Sequence, residues 1–171
     1  VTEPPREMID IAVSMARKSP CANSKRGAVV FDPKAISGRD GHPVVFGVGY
    51  NGAPLGRCDA SPECIRDCAK RCVHAEARAL RSLRESPASD DIDRYDMLHV
   101  KIGDHGYLVA GGGPSCWQCS REILESGIAG MWLFEIRAPL PGRSDPSEVW
   151  VRYTPLEFHQ ATLKACGIYD P

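Results

Sequence analysis

A mixed α/β fold, with one sheet of about five strands covered by helices on both faces, is what this sequence predicts. Three observations carry that expectation. The hydrophobic period switches between helix and strand along the chain, in the order helix, hairpin, helix, strand, helix, strand. The chain has 171 residues, 43% of them apolar, enough to bury a core and about the size of one domain. No internal repeat or low-complexity stretch marks a boundary, so a single domain spanning 1–171 is expected.

In residues 4–18, Met8, Ile11, Ala12 and Met15 fall at i, i+3, i+4 and i+7, one face of a helix. Thr2 suits its N-cap, Pro4 and Pro5 fit its first turn, and Ser19-Pro20 stops it. RGAVVFD (26–32) and PVVFGVGY (43–50) are short β-branched runs, and DPKAISGRDGHP between them reads as the long loop of a hairpin. Asn51-Gly52-Ala53-Pro54 is a turn. Residues 58–72 hold four cysteines among charges, and a helix follows directly. Its expected buried stripe is Val73, Ala77, Leu80 and Leu83, with Arg78, Arg81 and Arg84 facing out.

SPASDDID (86–93) reads as a linker, and MLHVKI (97–102) and YLVAG (107–111) as strands around a Gly-Asp-His-Gly turn. SCWQCSREILESGI opens a helix, with Ser115 and Gln118 matching a capping box and Gly127-Ile128 its stop. GMWLFEI (130–136) is a strand, RAPLPGRSDPSE a loop too short for a crossover helix, and VWVRYT (149–154) an edge strand. Residues 155–166 form a last helix with Leu156, His159 and Leu163 on one side.

Charge narrows the function. Lys plus Arg number 21 against 22 Asp plus Glu, for a formal charge of −1. Such a chain is no disordered polyelectrolyte, and it lacks the basic excess of a protein that coats nucleic acid. No apolar run approaches the ~20 residues of a membrane span, and no secretory leader is visible, so a cytoplasmic protein is expected. In that setting eight cysteines point to metal binding or thiol chemistry rather than to disulfides.

Three residues and a carboxylate form the pattern that carries chemistry. His74 and Glu76 stand two apart at the start of one helix, and Cys116 and Cys119 three apart at the start of another. A strand precedes the second helix, which sets its N-terminus at a strand's carboxyl end, where open α/β sheets bind ligands. The i, i+3 spacing puts both sulfurs on one helical face, where exposed N–H groups and the dipole favour thiolate. Two thiolates and an imidazole hold zinc while leaving a fourth position for water. Two thiolates also cancel the metal's charge, so its water is acidified less than at an all-histidine site and needs a base. Glu76 is placed for that role. A C-x-x-C alone would suit a redox pair equally, but that reading gives no use to His-x-Glu.

Together these pieces make the H-x-E…P-C-x-x-C signature of zinc deaminases. In HAEARAL and SCWQC, and also in CANSKRGAVV, GYNGAPLGRC and SREILESGIAGMWLFE, the chain resembles the cytidine/deoxycytidylate deaminase superfamily, nearest its deoxycytidylate branch. The resemblance runs from residue 8 to residue 136. It implies a three-layer α/β/α sandwich of the cytidine deaminase type. The implied zinc ligands are His74, Cys116 and Cys119, with Glu76 moving protons from water to the ring nitrogen and then to the departing amine. Asn51 would contact the sugar or base. A homo-oligomer and a nucleotide or nucleoside substrate are implied as well. The sequence departs from the family where Ser115 replaces the usual Pro before the first cysteine, and where GDHGYLVAGGG lengthens the junction. Ser115 is expected to serve as the helix N-cap.

Some deoxycytidylate deaminases carry a second, structural zinc, and Cys21 and Cys58 fall at two of its places. Of Cys64, Cys68 and Cys72, spaced by helical turns, Cys68 and Cys72 are favoured to complete it. Cys166 is expected to be a small buried residue. Lys25 and Arg26 suit a substrate phosphate, and Trp117 either stacks on a base or covers the metal. His42, His99, His105 and His159 are expected not to bind metal, His105 being the nearest to an exception. Rival readings are deamination of another small heterocycle, deamination of a base in nucleic acid, and a non-enzymatic zinc module. The last gives no reason for Glu76.

Overall fold

The computed structural model describes residues 3–37, 42–53, 58–59, 61–86, 89–111, 115–137 and 146–168. Helix α1 (Arg6–Lys18) forms as expected, but its buried residues are Met8, Ile9, Ala12 and Ala16, while Ile11 and Met15 of the expected face are only half-buried. Pro5 occupies its N-cap position without a side-chain cap, and the Thr2 expectation lies outside the described residues. Strands β1 (Lys25–Ser37) and β2 (His42–Tyr50) make the hairpin, but they run well into what the sequence reads as loop. Pairing continues from Phe31–Val45 to Ser37–His42 across a register shift between Asp32 and Ile36. Pro33 is accommodated at that irregularity, where a missing N–H costs least. The Asp32 carboxylate accepts from the Lys34 amide at 2.8 Å there.

Helix α2 (Pro62–Arg71) follows, started by the Ser61 hydroxyl, which accepts from the Cys64 amide at 3.1 Å. Helix α3 (Ala75–Arg84) buries Ala75, Glu76, Ala79, Leu80 and Leu83. The expected stripe through Val73 and Ala77 is thus rotated by about one residue, and a carboxylate takes a core position. Arg78 does not face out: its guanidinium lies 4.9 Å over the Tyr50 ring and donates to the Gly52 and Ala53 carbonyls at 3.3 Å. A short 3₁₀ segment (Ser89–Arg94) stands where a linker was expected.

Strands β3 (Asp96–Ile102) and β4 (Leu108–Val109) form a short hairpin, then come helix α4 (Trp117–Ser126) and strand β5 (Gly130–Arg137). Gly127, with φ 81°, ends α4 in the left-handed region as expected. Strand β6 (Ser147–Tyr153) leads into helix α5 (Pro155–Ala165). Thr154, read as strand, instead caps α5 through a reciprocal box with Glu157. The buried residues of α5 are Phe158 and Thr162, while Leu156 is 54% exposed, which overturns the Leu156–His159–Leu163 face.

The sheet order is β2-β1-β3-β5-β6, with β4 paired to β3. The main path therefore has the expected number of strands, and β4 adds a sixth. Among the described residues only β3 and β5 pair in parallel, joined through α4. Alternation sorts the side chains. Val29, Phe31, Leu98, Val100, Ile102 and Trp132 pack with α1 on one face. Ala28, Val30, Met97, Met131 and Leu133 pack with residues of α3, α4 and α5 on the other. The result is a three-layer α/β/α sandwich. At the base of β3, buried Asp96 accepts from Arg152 Nε and Nη2 at 2.8 and 2.7 Å and from Trp132 Nε1 at 2.8 Å, tying β3, β5 and β6 together.

Glycine sets how close α3 comes to the sheet. A Cβ at Gly49 would collide with the Ala75 carbonyl oxygen and lie 2.6 Å from the Ala79 amide nitrogen. Bare backbone at this point lets the first turn of α3 rest directly on β2.

Candidate active site

Two helix N-termini meet over one face of the sheet, beside central strand β3. His74 is the N-cap residue of α3, but its imidazole makes no cap bond. A two-bond bridge fixes the residue before it: Gly52 N donates to Val73 O at 3.1 Å, and Val73 N to Gly52 O at 2.9 Å. Cys116 is the N-cap of α4, and its sulfur accepts from the Cys119 amide at 3.4 Å. The expected cap, Ser115, lies one residue too early, since α4 begins at Trp117 and Cys116 takes the cap position.

His74 Nδ1 lies 3.2 Å from Cys116 Sγ and 3.3 Å from Cys119 Sγ, and the three ligand atoms lie within 4.8 Å of one another. The Cys119 S–H bonds to Cys116 and, against burial but with help from His74, pulls the Cys116 thiol down to about 4. Cys119 is pushed up by the same hydrogen bond and by burial. The bond to Cys116 raises the His74 imidazole. One negative charge is thus all the bare pair sustains, and a second thiolate needs a cation beside it. Two soft sulfurs and an imidazole nitrogen in this cluster fit zinc, with one tetrahedral position left over.

Glu76 is 2% exposed, and its Oε1 accepts from the Ser115 hydroxyl in a short hydrogen bond. His99 Nε2 stands 3.8 Å from the same oxygen and has no hydrogen-bond partner. Burial alone would raise the Glu76 carboxyl; His99, Ser115 and His74 outweigh it and bring it to about 2. Burial lowers the His99 imidazole to about 4, so it is neutral at pH 7.

The other expected site residues are placed as follows. Asn51 is buried, its Oδ1 accepting from Arg26 N and Ser19 Oγ, both at 2.8 Å, and its Nδ2 donating to Ser24 O at 2.6 Å. It therefore ties the chain entering β1 to the turn leaving β2. Arg26 donates to Ser24 Oγ at 3.1 Å and Gly111 O at 3.2 Å, and its charge is felt at both His74 and His99. Lys25 lines a cavity of about 390 Å³ together with Ser24, Lys101, Gly103 and Asp104. Trp117, in the first turn of α4, is 39% exposed beneath the Arg121 guanidinium at 5.9 Å.

The second cysteine group assembles differently. Cys21 is buried, and Cys58 Sγ accepts from the Ala22 amide at 3.3 Å and lies 3.3 Å from Cys64 Sγ. Cys58 thus lies beside Cys64; the side chain of Cys68, one of the favoured pair, lies outside the described residues, and Cys72 is half-buried. Among the described residues, His74, Cys116 and Cys119 are the group that gathers as metal ligands, and a second metal has no support. Cys166 is exposed, against expectation. His105 is exposed in the β3–β4 turn, His159 Nδ1 pairs with Ser120 Oγ at 2.9 Å, and the His42 side chain lies outside the described residues. Sequence reasoning missed the pairing of Ser115 and His99 with Glu76. The alternation of MLHVKI held one clue, since His99 shares a face with core residue Met97.

No protein-family model matches the chain. A deoxycytidylate deaminase of Mycobacterium phage D29 is 33% identical over 134 residues, covering 70% of this chain and 85% of that one. The crystal structure of a cytidine deaminase from Burkholderia pseudomallei superposes with a TM-score of 0.50 at 17% identity, over 87% of this chain and 91% of that one. That likeness shows the sandwich fold. Among the described residues, no helix is long and apolar enough to cross a membrane.

Proposed function

The chain belongs to the zinc-dependent cytidine/deoxycytidylate deaminase superfamily and is a hydrolytic deaminase, and on that premise we propose that its substrate is deoxycytidylate. The observation that carries this reading is a buried Glu76 two residues from His74, whose Nδ1 shares a cluster with Cys116 and Cys119. The phage relative, by name a deoxycytidylate deaminase, supports the substrate.

His74, Cys116 and Cys119 are the residues that hold the metal. Zinc, when bound, supplies a Lewis acid that makes water a usable nucleophile near neutral pH. Glu76, ionised and shielded from solvent, accepts a proton from that water and delivers it to the ring nitrogen beside the amine-bearing carbon. As the water oxygen bonds to that carbon, Glu76 takes the second proton from the added hydroxyl and gives it to the amine, whose C–N bond breaks. One water is consumed, one ammonia released, and the carboxylate returns unchanged. Burial of Glu76 keeps bulk water from intercepting these transfers.

Around this centre, Lys25 and Arg26 serve the substrate phosphate; the cavity shared by Lys25 and Lys101 supports that role. Asn51 shapes the sugar side of the pocket, keeping one Nδ2–H beyond its bond to Ser24. Trp117, exposed next to ligand Cys116, offers a face on which a base stacks. The reading extends to a cytoplasmic homo-oligomer with one catalytic zinc and a single domain over 1–171. A nucleic-acid substrate is disfavoured by the net charge of −1.

The test is ammonia release from deoxycytidylate by the zinc-loaded protein, with Glu76→Ala as background. Release lost in the variant, at unchanged zinc content, is the expected result. A wild-type chain that holds zinc yet spares deoxycytidylate and deaminates cytidine would overturn the nucleotide substrate.

A further inference from the structure

Glu76 has two carboxylate oxygens, and the chain treats them differently. Ser115 Oγ donates to Oε1, and His99 Nε2 stands 3.8 Å from that same oxygen, while among the described contacts no side chain is assigned to Oε2. Both neighbours come from other elements: Ser115 from the residue before the Cys116 cap, 39 positions along the chain, and His99 from the middle of β3. His99 is 4% exposed, and its Nε2 is a buried polar atom without a hydrogen-bond partner. Such a group is costly unless something nearby uses it. A carboxylate only accepts, so the favourable arrangement has the proton on Nε2, pointing at Oε1. At 3.8 Å the bond is not made, so His99 faces Oε1 from across the site while Ser115 holds it directly.

Resting on the deaminase reading of this site, we propose that Ser115 and His99 are positioning residues that anchor Oε1 of Glu76, leaving Oε2 as the oxygen that carries protons. A free carboxylate turns about its terminal torsion, which is broad and two-fold, so either oxygen would take the proton. An anchored one presents the same oxygen at every transfer, and proton transfer demands placement within a few tenths of an ångström. Ser115 stands where the family resemblance expects proline, whose side chain has no donor. The anchor is thus a property of this sequence.

The experiment compares kcat and KM of the zinc-loaded wild type with Ser115→Ala, Ser115→Thr, His99→Phe and the Ser115→Ala/His99→Phe double variant, with zinc content measured for each. Loss of a charge-assisted hydrogen bond should lower kcat of Ser115→Ala about ten- to a hundredfold, with KM and zinc content little changed. Ser115→Thr keeps the hydroxyl and should recover most of that loss. Because both residues act on one oxygen, the double variant should lose less than the product of the two single losses. Crystal structures of wild type and Ser115→Ala give a readout independent of turnover: the variant's Glu76 carboxylate should turn or take two orientations. A Ser115→Ala enzyme within twofold of wild type, or strictly multiplicative losses, would overturn the anchor. If wild type deaminates no pyrimidine, the functional reading fails instead. The crystallographic comparison still decides the anchor, which an unmoved carboxylate refutes.

Discussion

The Cys119 amide donates to the Cys116 sulfur at 3.4 Å, so the atom that caps helix α4 is also one of the three side-chain atoms gathered where a metal ion could be held. Cap and ligand are therefore lost together. Replacing Cys116 by Ala should abolish stoichiometric zinc binding and also cost the apoprotein about 1 kcal/mol, the usual worth of an N-cap. Metal analysis and urea unfolding of the metal-free proteins separate the two losses. A Cys116→Ala chain that retains one zinc would refute the ligand assignment.

His99 makes stability fall with acid. Its folded-state value of about 4 lies below the ordinary 6.5, so between those limits the unfolded chain holds a proton that the folded chain does not. The contribution is fully present above pH 6.5 and is lost as pH falls to 4, up to about 3 kcal/mol. Unfolding free energies of wild type and His99→Gln, measured across that window, should diverge toward high pH, with the wild type the steeper. Parallel curves would show that His99 titrates normally.

Gly49 controls the height of α3 over the sheet. In Gly49→Ala the new methyl must displace the Ala75 carbonyl, and overpacking of this kind costs about 1–3 kcal/mol. Ala75 adjoins His74, so zinc affinity should fall along with stability. Comparing the midpoint of unfolding with a zinc-chelator competition tests the link. Lowered stability with undiminished affinity would show that β2 does not position the ligand.

Much of the fold could be read from period and punctuation alone. The α1 helix itself, the 26–32 and 43–50 strands, the left-handed stop at Gly127 and the β3–β4 turn all rest on local rules, and local rules do not need the rest of the molecule. Expectations failed where a distant partner intervened. Arg78 left the surface because Tyr50 and two carbonyls were within its reach. Leu156 stayed exposed because Phe158 and Thr162 took the inner side of α5. Ser115 is not the cap because α4 begins one residue later than the motif suggests, and its hydroxyl donates to Glu76, 39 residues away.

The sequence by itself determined the chemistry: His-x-Glu before one helix and Cys-x-x-Cys at the start of another commit ligand types and spacing that each helix realises locally. Only tertiary structure decided what surrounds Glu76. That helix packs its carboxylate inward because bare glycine on β2 admits it, and β3 then brings His99 to 3.8 Å and the α4 entrance brings Ser115 into contact. These are contacts between side chains remote in sequence, set by the register of three elements against one another. No period or motif within any one of those elements encodes that register.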